Sequence, residues 1–561
     1  MGQIARTFRI RLRTREQVLA TARPLNRART VEKRPTQTVD VGETGLKPAA
    51  DTVGGMNLSL FRRRLSILGS FRGRSRVLYL TTLAFFLSFV VWFDMAPFAV
   101  AIAKDLHLTK PQMVTLGLCN LALTVPARIL VGALLDRFGP RRLYAALLVL
   151  AAVPNTVFAL AHSYGVLVVS RLAVGIVGAG FVVGIRMVSE WFPPAELGTA
   201  EGIYGGWGNF GSAGAALALP GLATLLVGGP GAWRAGVLVA GLVGAAVGVV
   251  YWFVVADTPP GATFLRPKRR GALPVATRGA TYGLAAMQLP IGAALALVAY
   301  RVHDTGALSS GGLRAAYAGI AGYVAWQSYQ ALMVNRRVRL RLAPDHDYPF
   351  RPVALLSLAY GVTFGAELAV VTLLPTFFAT TFGLAIGAAG AAGSAFAFTN
   401  LVTRPGGGIL SDLVASRRSV VVAALAGTAV SFFALSFLNS SWPLPVGIGL
   451  VALTSVFVQG GNGAVFAMVP QVHRPVSGQI AGLAGSYGNI GGVVFSSILF
   501  FSAGNARVLF LVVAGCALVV ALLCRWLPDL VPDTEVTAPE LPRVRAVEAE
   551  PEWAALDAAV V

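Results

Sequence analysis

Apolar residues in this chain fall in long, nearly unbroken blocks, unlike the one-sided pattern of soluble helices or the alternation of exposed strands. A helix needs about 20 such residues to cross a bilayer, and blocks of that length recur between residues 77 and 526. Six occupy 77–103, 111–135, 143–163, 165–190, 198–226 and 232–255; six more occupy 350–378, 385–411, 419–438, 443–470, 475–502 and 506–526. We number them spans 1 to 12. The alternating segments of about 10 residues that mark a membrane β-barrel are absent. The pattern predicts an all-α polytopic membrane protein.

Between the two sets of six, residues 256–349 hold two further apolar runs, near 279–301 and 312–334, joined by "TGALSSGG". Basic clusters flank this insert: "RPKRRG" (Arg266 to Gly271) before it and "NRRVRLR" (Asn335 to Arg341) after it. Lys and Arg mark cytoplasmic flanks, so the insert reads as a helical hairpin that leaves and returns to the cytoplasm. The expectation is 14 membrane helices in a cell (inner) membrane, with both termini cytoplasmic. The other reading keeps 12 spans and lays the insert on the membrane surface. Expected domains are a basic tail (1–76), a six-helix half (77–255), the insert (256–349), a second six-helix half (350–527) and a C-terminal tail (528–561).

Composition agrees with a membrane protein: 55% of residues are hydrophobic and 13% charged, where soluble proteins carry about 25% charged residues. The net charge of +21 does not indicate nucleic acid, because residues 1–76 alone carry 17 Lys or Arg against five acids. The other basic residues sit mostly at block ends, where they meet cytoplasm and anionic lipid. The tail reads as a disordered cytoplasmic segment, with an organellar transit peptide as the weaker alternative. Cys119, Cys516 and Cys524 lack metal or redox spacing, and the five histidines form no ligand cluster. No nucleophile–base set or nucleotide loop occurs, so neither an enzyme nor a cofactor is expected.

Two charged stretches interrupt the apolar pattern. "VPARILVGALLDRFGPRR" (Val125 to Arg142) and "VTRPGGGILSDLVASRR" (Val402 to Arg418) align without gaps at an offset of 276. Arg128 then matches Arg404, Gly132 matches Gly408, and Asp136 matches Asp412. A second pair, "GGWGNFGSAG" (205–214) and "AGSYGNIGGV" (484–493), aligns at an offset of 280. There Gly208, Asn209 and Gly211 match Gly488, Asn489 and Gly491. The chain is an internal duplication, and repeat-built transporters place their substrate near the midplane between the halves.

The first stretch contains "GALLDRFGPRR", with Gly132, Asp136, Arg137, Gly139, Arg141 and Arg142. It resembles the loop signature of the major facilitator superfamily between spans 2 and 3, whose Asp and Arg residues pair with helix ends to latch the cytoplasmic side. "GGILSDLVASRR" (Gly407 to Arg418) stands where that family repeats it. The glycine-rich pair, with "YGVTFGAELAVVTLLP", "GAGFVVGIRMVSEWFPP" and "GGNGAVFAMVPQV", resembles the nitrate/nitrite porter family over nearly all of residues 77–526, without the insert. The resemblance implies a major facilitator fold of two pseudo-symmetric halves and a nitrate or nitrite cargo. It also implies that aromatic rings sandwich the flat anion, with Phe181, Tyr360 and Phe364 at the matching positions.

The residues support an anion site on their own. A charge at a helix centre costs about 2.5–3.5 kcal/mol on insertion scales, so a buried Arg calls for a cavity or a partner. Arg128 precedes Asp136 by eight residues, about 12 Å of helix, and Arg404 repeats the geometry. Two guanidinium groups, one per half and without a carboxylate on their own helices at that depth, describe an anion site. The planar fork of Arg suits a planar three-oxygen anion better than the point charge of Lys. Tyr360 and Phe364, four residues apart, share a helix face. Glycines at this spacing let helices approach and slide; Asn209 and Asn489 are expected to bond a neighbouring helix or the ligand.

Three acids are singled out in or near spans: Asp94, Glu190 and Glu367. Glu367 follows Phe364 by three residues and is the expected proton carrier, while Arg186 is placed to pair with Glu190 one turn away. The reading is a monomeric secondary transporter in the lipid bilayer moving nitrate, and nitrite as a second cargo, by proton symport. Nitrate/nitrite antiport is the alternative, and a non-transporting anion sensor is the rival of another class.

Overall fold

A computed structural model describes residues 71–229, 231–266, 271–345, 348–502 and 504–529, together with 52–53, 56–57 and 69. The expectations for most of the basic tail, for the cluster at 267–270 and for the tail from 530 onward concern residues outside these.

Twelve helical stretches are long and apolar enough to cross a membrane, from Gly73–Asp105 to Ala506–Cys524. Large apolar side chains point outward from them, including Leu225, Phe253, Val402 and Val430, all exposed. A soluble monomer rarely tolerates broad apolar patches; a surface bathed in lipid requires them. The chain is an α-helical multi-pass membrane protein. The twelve include the first inserted segment, Arg278–Asp304. The two other predicted spans are helical without being among them. Ser310–Val334 runs 25 residues, and span 8 forms two pieces, Ile386–Phe398 and Asn400–Leu413, the second carrying Arg404 and Asp412.

The interruptions in the helices repeat with the duplication. Span 2 divides at Leu123 into Lys110–Ala122 and Thr124–Phe138, and span 8 divides at Thr399. These positions differ by 276, the offset of the sequence repeat. Pro126 removes a backbone donor within three residues of the first break, whereas Pro405 lies inside the second piece of span 8, six residues past Thr399. Arg128 and Arg404 are each the fifth residue of the piece that follows. Span 4 changes to a 3-10 turn at Gly175–Ala179, just before Phe181, and span 5 divides at Phe210 beside its glycine motif. Short 3-10 stretches inside helices often mark functional hinges. Spans 7 and 11 remain continuous as Arg351–Phe382 and Ser477–Phe501.

Spans 2 and 11 pack along each other, as do spans 5 and 8, so each half is joined to the other through pseudo-equivalent pairs. The insert packs against both halves. Thr305 Oγ1 is 2.8 Å from the Tyr164 hydroxyl, Arg301 lies over the Phe500 ring at 3.5 Å, and the Tyr487 hydroxyl donates to the Met287 carbonyl at 3.0 Å. The turn at Gly306, with φ of +84°, therefore lies at the same end of the bundle as the loops following spans 3 and 11. If the insert is a transmembrane hairpin, a cysteine at Ser309 is labelled from outside the cell and one at Arg337 only from inside. Labelling of both from the cytoplasm alone contradicts that topology.

Candidate functional site

Arg128 and Arg404 are sealed from solvent, at 0% and 1% exposure. Arg128 donates from Nε to the Gly178 carbonyl at 3.2 Å and from Nη1 to the Gly485 carbonyl at 2.7 Å. Its Nη2 has no hydrogen-bond partner among the described residues. Arg404 donates from Nη2 to the Tyr360 hydroxyl at 3.2 Å, and its Nη1 has no hydrogen-bond partner among the described residues. Each arginine thus holds one terminal nitrogen uncommitted. A buried donor left unpaired costs about 1–3 kcal/mol and more when charged, which makes these nitrogens suited to an incoming acceptor.

The glycine motifs explain how the arginines are held. Each lies against the motif of the opposite half. A Cβ on Gly485 would stand 3.1 Å from Arg128 Cδ, and one on Gly205, its repeat equivalent, 2.6 Å from Arg404 Nε. The glycine three residues further on in each motif makes room for a ring. A Cβ on Gly488 would come within 2.6 Å of Tyr360 Cε1 and 2.9 Å of Phe364 Cδ1, while one on Gly208 would overlap the Phe85 ring. Gly211 and Gly491 bring backbones together, against the Phe86 and Gly361 carbonyls.

The predicted rings converge. Phe181 and Tyr360 are parallel within 4° at 5.9 Å, and Tyr360 and Phe364 within 4° at 4.9 Å. Phe466, which sequence reasoning left out, stands edge-on to Phe181 and Tyr360 at 4.6 Å from each. The Arg128 guanidinium carbon lies 5.2 Å from the Phe181 ring centre and 5.4 Å from that of Phe364; Arg404 lies at 5.3 and 5.9 Å. Both cations therefore flank the same two near-parallel rings. Cations above and beside ring faces gain about 0.5–2 kcal/mol each, which helps two like charges share the site.

Three expectations change here. Arg404 has a carboxylate neighbour after all: Glu367, one helix away, places Oε2 at 4.0 Å from Nη1. The sequence repeat shows which arginines are equivalent but cannot show which acid a neighbouring helix brings. Asn489 donates to the Gly485 carbonyl of its own helix at 3.2 Å, and both polar atoms of buried Asn209 lack partners among the described residues. Among the described residues neither asparagine bonds a neighbouring helix, which leaves the ligand as the expected partner. Of the loop arginines expected to latch, Arg137 is exposed over Phe138, Arg142 is exposed, and Arg141 lies over Trp252 in its own half.

The latch itself is present and duplicated. Asp136 accepts from the Gly478 and Gln479 backbone nitrogens at 3.1 Å each, at the start of span 11. Asp412 accepts from the Gly198 and Thr199 nitrogens at 3.1 and 2.7 Å, at the start of span 5. A carboxylate at a helix N-terminus satisfies orphan donors and meets the positive end of the dipole. Gly132 and Gly408 allow it, since a Cβ on either would strike the Gly478 or Gly198 carbonyl. Gly139, at φ +85°, turns the chain into span 3, where Asp257 accepts from the Arg141 nitrogen at 2.7 Å. The cationic partners are Arg417 on Asp412 at 2.8 Å and Arg186 near Asp136 at 4.0 Å, the latter also paired with Glu190 at 2.7 Å.

The acids separate into distinct roles. Asp94 pairs with buried Arg171 at 2.8 Å, a closed structural pair. Glu367 accepts one hydrogen bond on each oxygen, from the Asn400 and Asn462 amides, both at 2.7 Å. Those asparagines come from spans 8 and 10; Asn462 lies within the "GGNGAVFAMVPQV" stretch, but nothing in the sequence ties either one to Glu367. Glu201 in span 5, a fourth acid visible in the sequence as a charge inside an apolar block, is 1% exposed. Together the arginines and rings set two cationic donors beside parallel ring faces, an arrangement whose shape and charge suit a small planar anion.

The sequence profile of the Major Facilitator Superfamily matches residues 81–343 and 356–556. The chain is 44% identical to the nitrate/nitrite transporter NrtP of Picosynechococcus sp. over 82% of its own length and 94% of that protein's. To NrtP of Nostoc punctiforme it is 45% identical, covering 82% and 93%. Among solved structures, the human organic anion transporter MFSD10 superposes with a TM-score of 0.53 at 15% identity, over 81% of this chain and 100% of that one; this likeness is one of fold alone. By profile, by relatives and by fold, the chain belongs to the Major Facilitator Superfamily and, within it, to the nitrate/nitrite porter family.

Proposed function

We propose that this transporter carries nitrate, with nitrite as a second cargo, through the site between Phe181 and Phe364, and that nitrate moves in symport with a proton. The observation that carries the reading is the pair of uncommitted guanidinium nitrogens, one per half, flanking the same two rings. Nitrate is flat and monovalent, so its faces meet the rings while its in-plane oxygens accept from the arginines. Asn209 and the free oxygen of Asn489 supply further polar groups near the anion.

Glu367 is the proposed coupling acid. With the site empty, its carboxylate offsets the charge of Arg404, so the carrier can change its facing without a bare cation pair. Nitrate arriving on Arg404 competes with that carboxylate, and a proton on Glu367 relieves the competition. Anion and proton then bind together, as symport requires. Exchange for nitrite is the second reading, favoured by Arg128, which has no carboxylate partner among the described residues and so holds one charge that only an anion neutralises. The carrier works as a monomer in the cell membrane, with both termini in the cytoplasm.

Purified protein in liposomes separates the readings. Symport gives nitrate accumulation inside nitrite-free vesicles when the outside is acidified. Accumulation that needs internal nitrite and ignores the pH difference establishes exchange, and absence of nitrate flux under either condition overturns the proposal.

A further inference from the structure

Glu201 is the remaining buried acid of the central bundle, and its surroundings differ in kind from those of Glu367. Neither of its carboxyl oxygens has a hydrogen-bond partner among the described residues, although the residue is 1% exposed. Glu367 accepts an amide hydrogen on each oxygen, the pattern of an ionised carboxylate, which only accepts. A charged carboxylate sealed from water without donors is far more costly than the neutral acid. In this conformation the geometry fits Glu201 carrying its proton and Glu367 carrying a charge.

Its place in the helix gives that proton a consequence. In Leu197–Asn209, Gly198 and Thr199 bind the Asp412 latch, and Gly205 is where Arg404 rests. Glu201 lies between them, four residues before Gly205 and so on the same helix face. Three residues on, the Tyr204 hydroxyl donates to the Phe181 carbonyl at 3.0 Å. Among the helices packed on this one, span 8 brings Arg404 and Asp412, span 1 brings Arg74, Arg76 and Tyr79, and span 4 brings Arg186 and Glu190. Span 10 brings no ionisable side chain. Asp412, Arg186 and Glu190 are engaged in the latch contacts, and Arg74 pairs with Glu196 at 2.8 Å. Arg404, whose side chain rests against Gly205 and whose backbone lies against Gly202, is the cation packed along the Glu201 stretch of this helix.

We infer that Glu201 is a proton-binding position in the N-terminal half that governs whether Arg404 is available to the transported anion. While Glu201 is protonated, Arg404 is free to hold nitrate. When the Asp412–Gly198 latch parts and water reaches the helix, the Glu201 carboxyl gives its proton to water. The resulting carboxylate competes for Arg404, and nitrate leaves. Glu201 thus acts on the ligand through Arg404, as a positioning residue. The inference rests on the nitrate reading above and adds to Glu367 a second acid on the same arginine, from the opposite half.

The test is nitrate/nitrite exchange in proteoliposomes at equal pH on both sides, reading the ratio of the KM for nitrate at pH 8 to that at pH 6. Affinity linked to one proton changes by at most about tenfold per pH unit, and a ratio of about threefold or more is expected of the unmodified protein. Glu201→Gln, which stays neutral, should at least halve that ratio. Glu201→Asp keeps a proton site one methylene further back and should retain the dependence but displace it along the pH axis. An unmodified protein with no pH dependence overturns the proposal. So does a Glu201→Gln ratio equal to the unmodified one, or, should that variant fail to insert, a Glu201→Asp curve superimposable on it. Exchange that persists with an unaltered ratio removes Glu201 alone, whereas absence of nitrate exchange by the unmodified protein removes the nitrate reading itself.

Discussion

Replacing either Arg128 or Arg404 with lysine is expected to cut nitrate transport on the order of 10- to 100-fold, the equivalent of a charged hydrogen bond worth about 1.5–3 kcal/mol. Lysine keeps the charge, so electrostatic attraction of the anion survives. What it loses is the fork. Arg128 spends two nitrogens on the Gly178 and Gly485 carbonyls and still has Nη2 to offer. A single ammonium cannot anchor to both carbonyls and also present a rigid donor in the plane of the ligand. Arg404 likewise gives Nη2 to the Tyr360 hydroxyl and keeps Nη1, 4.0 Å from Glu367, without a hydrogen bond among the described residues. Lysine at 404 still places a cation near Glu367, so no buried carboxylate is stranded and insertion should be retained. Initial-rate uptake, normalised to protein in the membrane, is the check. Normal rates in both variants would remove the arginine pair from the site.

The second large effect is on coupling. Glu367→Gln should abolish nitrate accumulation driven by a pH gradient while nitrate still exchanges across the membrane. Glutamine keeps the size of the protonated acid but cannot release a proton. Its amide puts a donor where the carboxylate had an acceptor, facing Asn400 or Asn462. Among the described residues the carbonyl oxygens of both asparagines are unpartnered, so one amide can turn over and accept, and the local packing survives. Uphill accumulation in the Glu367→Gln protein in response to pH assigns this glutamate a structural role.

Much of this arrangement is legible in the amino-acid sequence because it is written twice. The offsets of 276 and 280 single out Arg128 with Arg404, Asp136 with Asp412 and the two glycine motifs, and the structure brings each pair to equivalent places. The count of spans is read from block length, but Ser310–Val334 and Asn400–Leu413 show where block length alone is weak. Polar residues lower their apolar character, and helicity comes from packing as well. What a repeat cannot reveal is which half supplies each neighbour. Arg128 rests on Gly485 and Arg404 on Gly205, so the motifs serve the opposite half. Nor can it reveal convergence from separate helices: Asn400 and Asn462 meet at Glu367 from two different spans, and Phe466 closes the rings from span 10. Glu201 is legible as a charge in an apolar block, whereas its lack of hydrogen-bond partners among the described residues depends on every neighbouring helix.

The central claim is a place as much as a cargo: nitrate lying between Phe181 and Phe364, held by one guanidinium from each half. An experimentally determined structure of the purified protein with nitrate bound tests it directly. The account predicts flat density between those two rings, with oxygens within hydrogen-bond distance of both Arg128 and Arg404. Nitrate bound elsewhere in the protein, or touching neither arginine, would contradict it.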